Sequence, residues 1–304
     1  MKEYDLIIIG GGPAGLTAAI YACRARLNSL LIEKEMIGGL ITFAGQIDNF
    51  PGFPEGINGM ELAELMHRQA TKYGLETVSA DVTGVRLQGE PKVITTTDGD
   101  FTANAVIIAS GSERQKLGVP GEEKFTGKGV SYCATCDACF FSEQPVAVVG
   151  GGNAALNEAL ELAKFASRVT IIHRRDQLRA TRILQEKALG EPKIEPMWNT
   201  VVEEIEGDDV VRKLKLHDVV SGEKSTLAVS GVFISVGLKP NTDFVNGLLR
   251  LDETGHIVTN ERMETEISGV FAAGDVRHNS IQQAIAAAGD GAVAAISAEK
   301  SLSR

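Results

Sequence analysis

Residues 5–35 read "DLIIIGGGPAGLTAAIYACRARLNSLLIEKE", and the fold follows from their order. Leu6 to Ile9 form an apolar run without polar alternation, as expected of a strand buried on both faces of a parallel sheet. A glycine-rich turn comes next, then an alanine-rich helical run, then a second apolar strand that ends at Glu33. Strand, turn, helix and strand make a βαβ unit. Gly10, Gly12 and Gly15 fall in the spacing G-x-G-x-x-G, with Pro13 and Ala14 between the last two. The three glycines serve a tight turn, a close backbone approach to a pyrophosphate, and close packing of helix on strand. The unpaired N–H groups at the start of the helix favour an anion there. A carboxylate at Glu33 can accept hydrogen bonds from ribose hydroxyls.

The same order of parts returns about 140 residues later. Residues 146–176 read "VAVVGGGNAALNEALELAKFASRVTIIHRRD", with Gly150, Gly152 and Ala155 in the glycine positions and Asn153 and Ala154 between. No acid ends this second strand. His173, Arg174 and Arg175 stand there instead, with Arg179 close behind. Arginine forks suit a phosphate, so this copy is expected to take NADP rather than NAD. Two charged contacts of roughly 1.5–3 kcal/mol each give about a hundredfold preference.

Two repeated units of this kind predict an α/β protein with two Rossmann-like, three-layer nucleotide-binding domains, the second inserted in the first. The apolar strands of "VIIASG" (106–111) and "VFISVG" (232–237) each run into a polar connector holding Gly and Pro. The expected boundaries are therefore 1–114 with 242–304 for the first domain and 115–241 for the second. The closing segment contains "GVFAAGDV" (269–276), in which Asp275 follows a strand and a glycine, a suitable post for a carboxylate facing sugar-like hydroxyls. A small-residue helical stretch, expected from Ile281 to Ala295, comes after it.

A chain of 304 residues with 43% hydrophobic content is long enough for two full cores. A net charge of −10 argues against nucleic-acid or anionic-membrane partners. No apolar run reaches the roughly 20 residues that span a bilayer, and no signal peptide is visible. Four cysteines are too few for a secreted disulfide scaffold, so a cytoplasmic setting is expected.

Three of those cysteines crowd into "SYCATCDACF" (131–140), as Cys133, Cys136 and Cys139. One chemistry open to them is metal or iron–sulfur binding. The local run lacks the fourth cysteine an iron–sulfur site needs, since position 143 is Glu, and the five histidines are scattered. The other is a redox dithiol, which needs only two. Asp137 follows Cys136 directly, where a carboxyl group can carry the proton that thiol–disulfide exchange moves. Cys23 reads as a small buried apolar residue.

Taken together, "GGGPAG", "NFPG" (49–52), "VPGE" (119–122), "CATCD", "GGGNAA", "HRRDQLRA" (173–180), "GLKPNT" (237–242) and "GVFAAGDV" resemble, in order and over essentially the whole chain, the low-molecular-weight thioredoxin reductases. The resemblance implies FAD on the first copy, with Gly10, Gly12, Pro13, Ala14, Gly15, Glu33, Gly39, Asn49, Asp275, Gln283 and Ala284 in contact. It implies NADPH on the second, with Gly152, Asn153, Ala154, Ala155, His173, Arg174, Arg175 and Arg179. Cys136 is then the thiol facing the flavin, Cys133 the thiol that attacks the partner's disulfide, and Asp137 the acid/base. No metal is expected. Thioredoxin or a thioredoxin-like protein is the implied partner, and a homodimer the implied assembly. Same-fold relatives that draw electrons from ferredoxin lack the basic cluster, whereas Arg174 and Arg175 are present here. Departures from the family pattern are Leu40 for Gln, Gln282 for Arg, Asn157 for Glu, Ala154 for Ser or Thr, and Cys139 for a residue without a thiol.

Overall fold

The opening apolar run becomes β1 (Lys2–Ile9), which leads through the glycine turn into α1 (Pro13–Arg24) and β2 (Ser29–Glu33). Pro13 suits the first helical position, where its missing N–H is no loss. The chain continues through α2 (Gly59–Thr71), β3 (Glu76–Ser79), β4 (Val82–Arg86), β5 (Lys92–Thr96) and β6 (Gly99–Ile108). These come from a computed structural model that describes residues 2–303. By internal contacts the chain divides into two units. One runs to Glu113 and resumes at Lys239; the other spans Arg114–Leu238.

In the first unit β1 pairs in parallel with β2 and β6, and β2 with β3. The long strand β6 serves two partners along its other edge. Its first half pairs antiparallel with β5, and its last three residues pair in parallel with Val270–Ala272. Alternation sorts the side chains into two layers. Leu6, Ile8, Leu31 and Ile107 join α1 and α2 on one face, while Ile7, Ile9, Leu30 and Ile108 pack with Val245, Leu249 and Ile257 on the other.

Strand β7 (Ser112–Arg114) makes the crossing and enters the second unit at Arg114; that unit holds α3 (Glu122–Phe125), β8 (Val130–Ser131), α4 (Ala134–Asp137), β9 (Pro145–Gly150), α5 (Asn153–Ala163), β10 (Arg168–Ile172), α6 (Arg182–Leu189) and β11 (Ile194–Met197). It continues with β12 (Thr200–Gly207), β13 (Val211–Asp218), β14 (Lys224–Ala228) and β15 (Gly231–Ser235), and β16 (Leu238–Pro240) makes the return crossing, with only Leu238 in this unit. A parallel sheet runs β11-β10-β9-β15-β8. Helix α5 covers one face through Leu156 and Ala159, and the antiparallel β12-β13-β14 layer covers the other through Ile205 and Leu214.

Each unit closes its own gap at the crossing. In the first, the Ser110 hydroxyl donates to the Asn241 carbonyl (2.8 Å), and Asn241 returns its side-chain amide to Ser110 O (2.8 Å) and its backbone N–H to Gly111 O (3.0 Å). In the second, Gln115 N–H donates to Gly237 O (2.9 Å).

The last helix, α7 (Ala284–Leu302), differs from the expected 281–295 stretch. Gln282 has φ 53°, a left-handed backbone that a helix cannot contain, and Gln283 is extended as the N-cap. The helix therefore starts at Ala284 and runs on past Ala295. Among the described residues no helix is long and apolar enough to cross a membrane.

Candidate active site

Three candidate sites stand out, one in the first unit and two in the second. In the first glycine turn Gly10 has φ +108°, and a Cβ on Gly15 would fall inside the Gly10 carbonyl. The turn thus needs glycine for both backbone conformation and helix–strand contact. A Cβ on Gly12, by contrast, would meet only Gly38 O at 3.9 Å. That open concavity over the start of α1 fits a pyrophosphate. Glu33 clamps the loop, its carboxylate accepting from Gly11 N–H (2.6 Å) and Glu35 N–H (2.9 Å), with lone pairs left for ribose hydroxyls. Gly39 lies against Gly12, and Gly274 against Ala14, so Asp275 stands at the same turn.

Asp275 accepts the Ser280 hydroxyl at 3.0 Å. Burial, with Asp290 nearby, raises its pKa above the usual carboxylate value. Its neighbour Arg277 spends its charge elsewhere, held in a fork by Asp290 at 2.6 and 2.8 Å. Asp275 therefore keeps an oxygen for a ligand hydroxyl. Asn49 and Gln283, far apart in sequence, are joined by a side-chain hydrogen bond of 2.9 Å, and Ala284 opens α7 beside them.

In the second turn Gly152 faces open space, whereas a Cβ on Gly151 would strike the His173 ring. His173 is buried beneath the turn, and Nε2 donates to the Gln177 carbonyl at 3.1 Å. Burial lowers its pKa, so the ring is a neutral support. The loop after it docks on the turn: Arg179 N–H donates to Gly151 O (2.7 Å), and Thr181 N–H to the Asn153 side chain (2.8 Å). Arg174, Arg175 and Arg179 are exposed, and none makes an ion pair among the described residues. Three uncommitted guanidinium groups beside an open helix start fit a phosphorylated dinucleotide. Ala155 is buried and Ala154 exposed on α5.

The third site is a disulfide between Cys133 and Cys136, with Cα atoms 5.4 Å apart. Cys133 caps α4, its sulfur accepting Cys136 N–H at 3.2 Å. Ser131, buried at the end of β8, accepts Cys133 N–H (3.0 Å) and donates its hydroxyl to Asp137 (2.6 Å). Asp137 is thus coupled to the Cys133 backbone through one hydroxyl. With Cys133 and Cys136 bonded to each other, the three-cysteine metal reading loses its ligands. No group of three His, Cys, Asp or Glu among the described residues is placed to hold a metal ion.

Behind this strand the "VPGE" glutamate does structural work that the sequence did not announce. Glu122 is buried and accepts from Leu117 N–H (2.9 Å), Gly118 N–H (2.7 Å) and the Tyr132 hydroxyl (2.6 Å). Burial and that carboxylate push the Tyr132 phenol well above its ordinary range. The residue next to Cys133 is thereby fixed as a neutral donor.

A surface disulfide and two dinucleotide turns define a nucleotide-dependent disulfide oxidoreductase. A family model described as pyridine nucleotide-disulphide oxidoreductase matches residues 4–291, and the chain belongs to that family. Thioredoxin reductases from Peptoclostridium acidaminophilum and Bacillus subtilis (strain 168) are 45% and 46% identical to it. The first aligns over 303 residues, 98% of this chain and 96% of that one; the second over 299 residues, 98% and 94%. The crystal structure of Lactococcus lactis thioredoxin reductase superposes with a TM-score of 0.96 at 44% identity, covering 99% of both chains. Within the wider family this chain is therefore one of the thioredoxin reductases, oxidoreductases that use FAD and NADPH.

Proposed function

We propose that the chain reduces the disulfide of thioredoxin, or of a thioredoxin-like protein, with NADPH as donor. The observation that carries the proposal is the Cys133–Cys136 disulfide, hydrogen-bonded on both sides of Cys133, in one chain with two open glycine turns. FAD, when bound, supplies a two-electron carrier between nicotinamide and disulfide. On this reading the first unit is the FAD-binding domain. The Gly10–Gly15 turn holds the pyrophosphate, Glu33 and Asp275 orient hydroxyl groups, and Gly39, Asn49, Gln283 and Ala284 line the flavin side. The second unit binds NADPH through Gly152, Asn153, Ala154 and Ala155, with Arg174, Arg175 and Arg179 on the 2′-phosphate. His173 acts there from below, by holding the turn.

Once the disulfide is reduced, the N–H of Cys136 stabilises Cys133 as a thiolate. Cys133 attacks the partner's disulfide, and Cys136 then attacks Cys133 Sγ, re-forming the internal bond and releasing a dithiol. Asp137, steadied by Ser131, takes and returns the proton. The net charge and sparse cysteines favour a cytoplasmic protein without nucleic-acid or membrane partners. The homodimer rests on the family resemblance, and sedimentation checks it.

One assay tests the proposal: dithiol formation from thioredoxin with NADPH, NADH or reduced ferredoxin as donor, on wild type and Cys136→Ser. The expected result is turnover with NADPH, about a hundredfold less with NADH at equal concentration, none with ferredoxin, and none in the variant despite retained flavin reduction. Equal use of the two nucleotides, or thioredoxin turnover in the variant, overturns it.

A further inference from the structure

Cys139 is unused by the chemistry above. Of the two free cysteines Cys23 is buried, as its sequence setting suggests, whereas Cys139, for which the general tendency of free cysteines toward burial favours a buried spectator, is exposed. The segment after Cys133 is held by one side only. Ala134, Ala138 and Phe141, at helical spacing, turn inward, with Phe141 edge-to-face on Phe233 at 5.4 Å. That anchoring decides what faces out: Thr135, Cys136, Cys139 and Phe140 are all exposed.

Cys136 and Cys139 are therefore one turn apart on the outer face. Side chains at i and i+3 have Cβ atoms about 5–6 Å apart in an α-helix, and a 3-10 turn brings them closer to eclipse. Cys139 lies in such a turn, Ala138–Phe141, which follows directly on α4, where Cys136 is one of the last two residues. A disulfide needs about 3.5–4.5 Å, a difference that relaxation of one short exposed turn covers.

We infer that Cys139 is a third member of the redox centre, exchanging with the Cys133–Cys136 disulfide. The Cys139 thiolate attacks Cys136 Sγ; a Cys136–Cys139 bond forms as the Cys133–Cys136 bond breaks, and Cys133 leaves as thiolate. One disulfide and one thiolate stand on each side, so no outside oxidant or reductant takes part. The departing sulfur is the one that accepts Cys136 N–H, which stabilises its charge. Through this exchange the oxidised protein presents a free Cys133 without having received electrons.

The test needs neither donor nor partner, so its outcome is separate from that of the thioredoxin assay. Oxidised wild-type protein is quenched in acid, denatured and alkylated, and the label is located by fragmenting the peptide that carries all three cysteines. Cys23 serves as the internal standard. Label on Cys133 in about one chain in ten is expected, equivalent to two disulfides within about 1.4 kcal/mol, with none in Cys139→Ser. A second arm oxidises Cys133→Ser with one equivalent of diamide and expects two thiols lost within a single chain. Label confined to Cys139 in wild type, or interchain products alone in the second arm, overturns the inference.

Discussion

Replacing Glu158 by glutamine should remove a specific pH dependence from the second unit. Glu158 lies on α5 at 8% exposure. One oxygen accepts Arg114 Nη1–H at 2.6 Å, and the other is buried without a partner. Burial outweighs the arginine and pushes the carboxyl from its ordinary 4.5 up to about 7. The folded chain therefore keeps a proton that the unfolded chain has already lost. The stability this provides is full below pH 4.5 and disappears as pH rises through about 7. A displacement of that size corresponds to about 3 kcal/mol. Glutamine cannot titrate, so the wild-type advantage over Glu158→Gln should shrink by about 3 kcal/mol from pH 4.5 to about pH 8. Denaturant unfolding followed by Trp198 fluorescence measures it, because Trp198 is the chain's one tryptophan and packs on the same core cluster as α5. A difference constant to within about 0.5 kcal/mol across that range refutes the reasoning.

Gly15→Ala should yield protein without bound flavin, read from its visible absorbance, because the new Cβ collides with the Gly10 carbonyl. Glu122→Ala leaves three donors unpaired at about 1–3 kcal/mol each, so unfolding should show a loss of at least about 3 kcal/mol, against about 1 for Tyr132→Phe. Ser131→Ala uncouples Asp137 from Cys133, and kcat for thioredoxin reduction should fall about tenfold with KM unchanged.

What the sequence made legible is local. The Gly10–Glu33 unit, its second copy and the CxxC pair announce themselves because the glycine, acid and cysteine positions lie within one βαβ unit or one helical turn. Contacts set by tertiary closure were not readable. Asn49 and Gln283 were each expected near the flavin, yet nothing in either segment shows that they bond to each other. Nor could the pattern tell that Glu122 gathers three donors or that Arg114 finds Glu158. His173 looked like one more cation in a basic run, and its burial under Gly151 depends on how the turn is roofed. The start of α7 was misplaced because the residues from Ile281 on fit a helical pattern, whereas the backbone of Gln282 is left-handed.

The stapling of Ser110 and Gly111 by Asn241 has a consequence for protein engineering. Where a host lobe ties off its own opening, excision of the guest reduces to joining two adjacent ends with a brief turn. The first unit should then survive as a free-standing miniature, and foreign modules with neighbouring termini become candidates for grafting at the same socket.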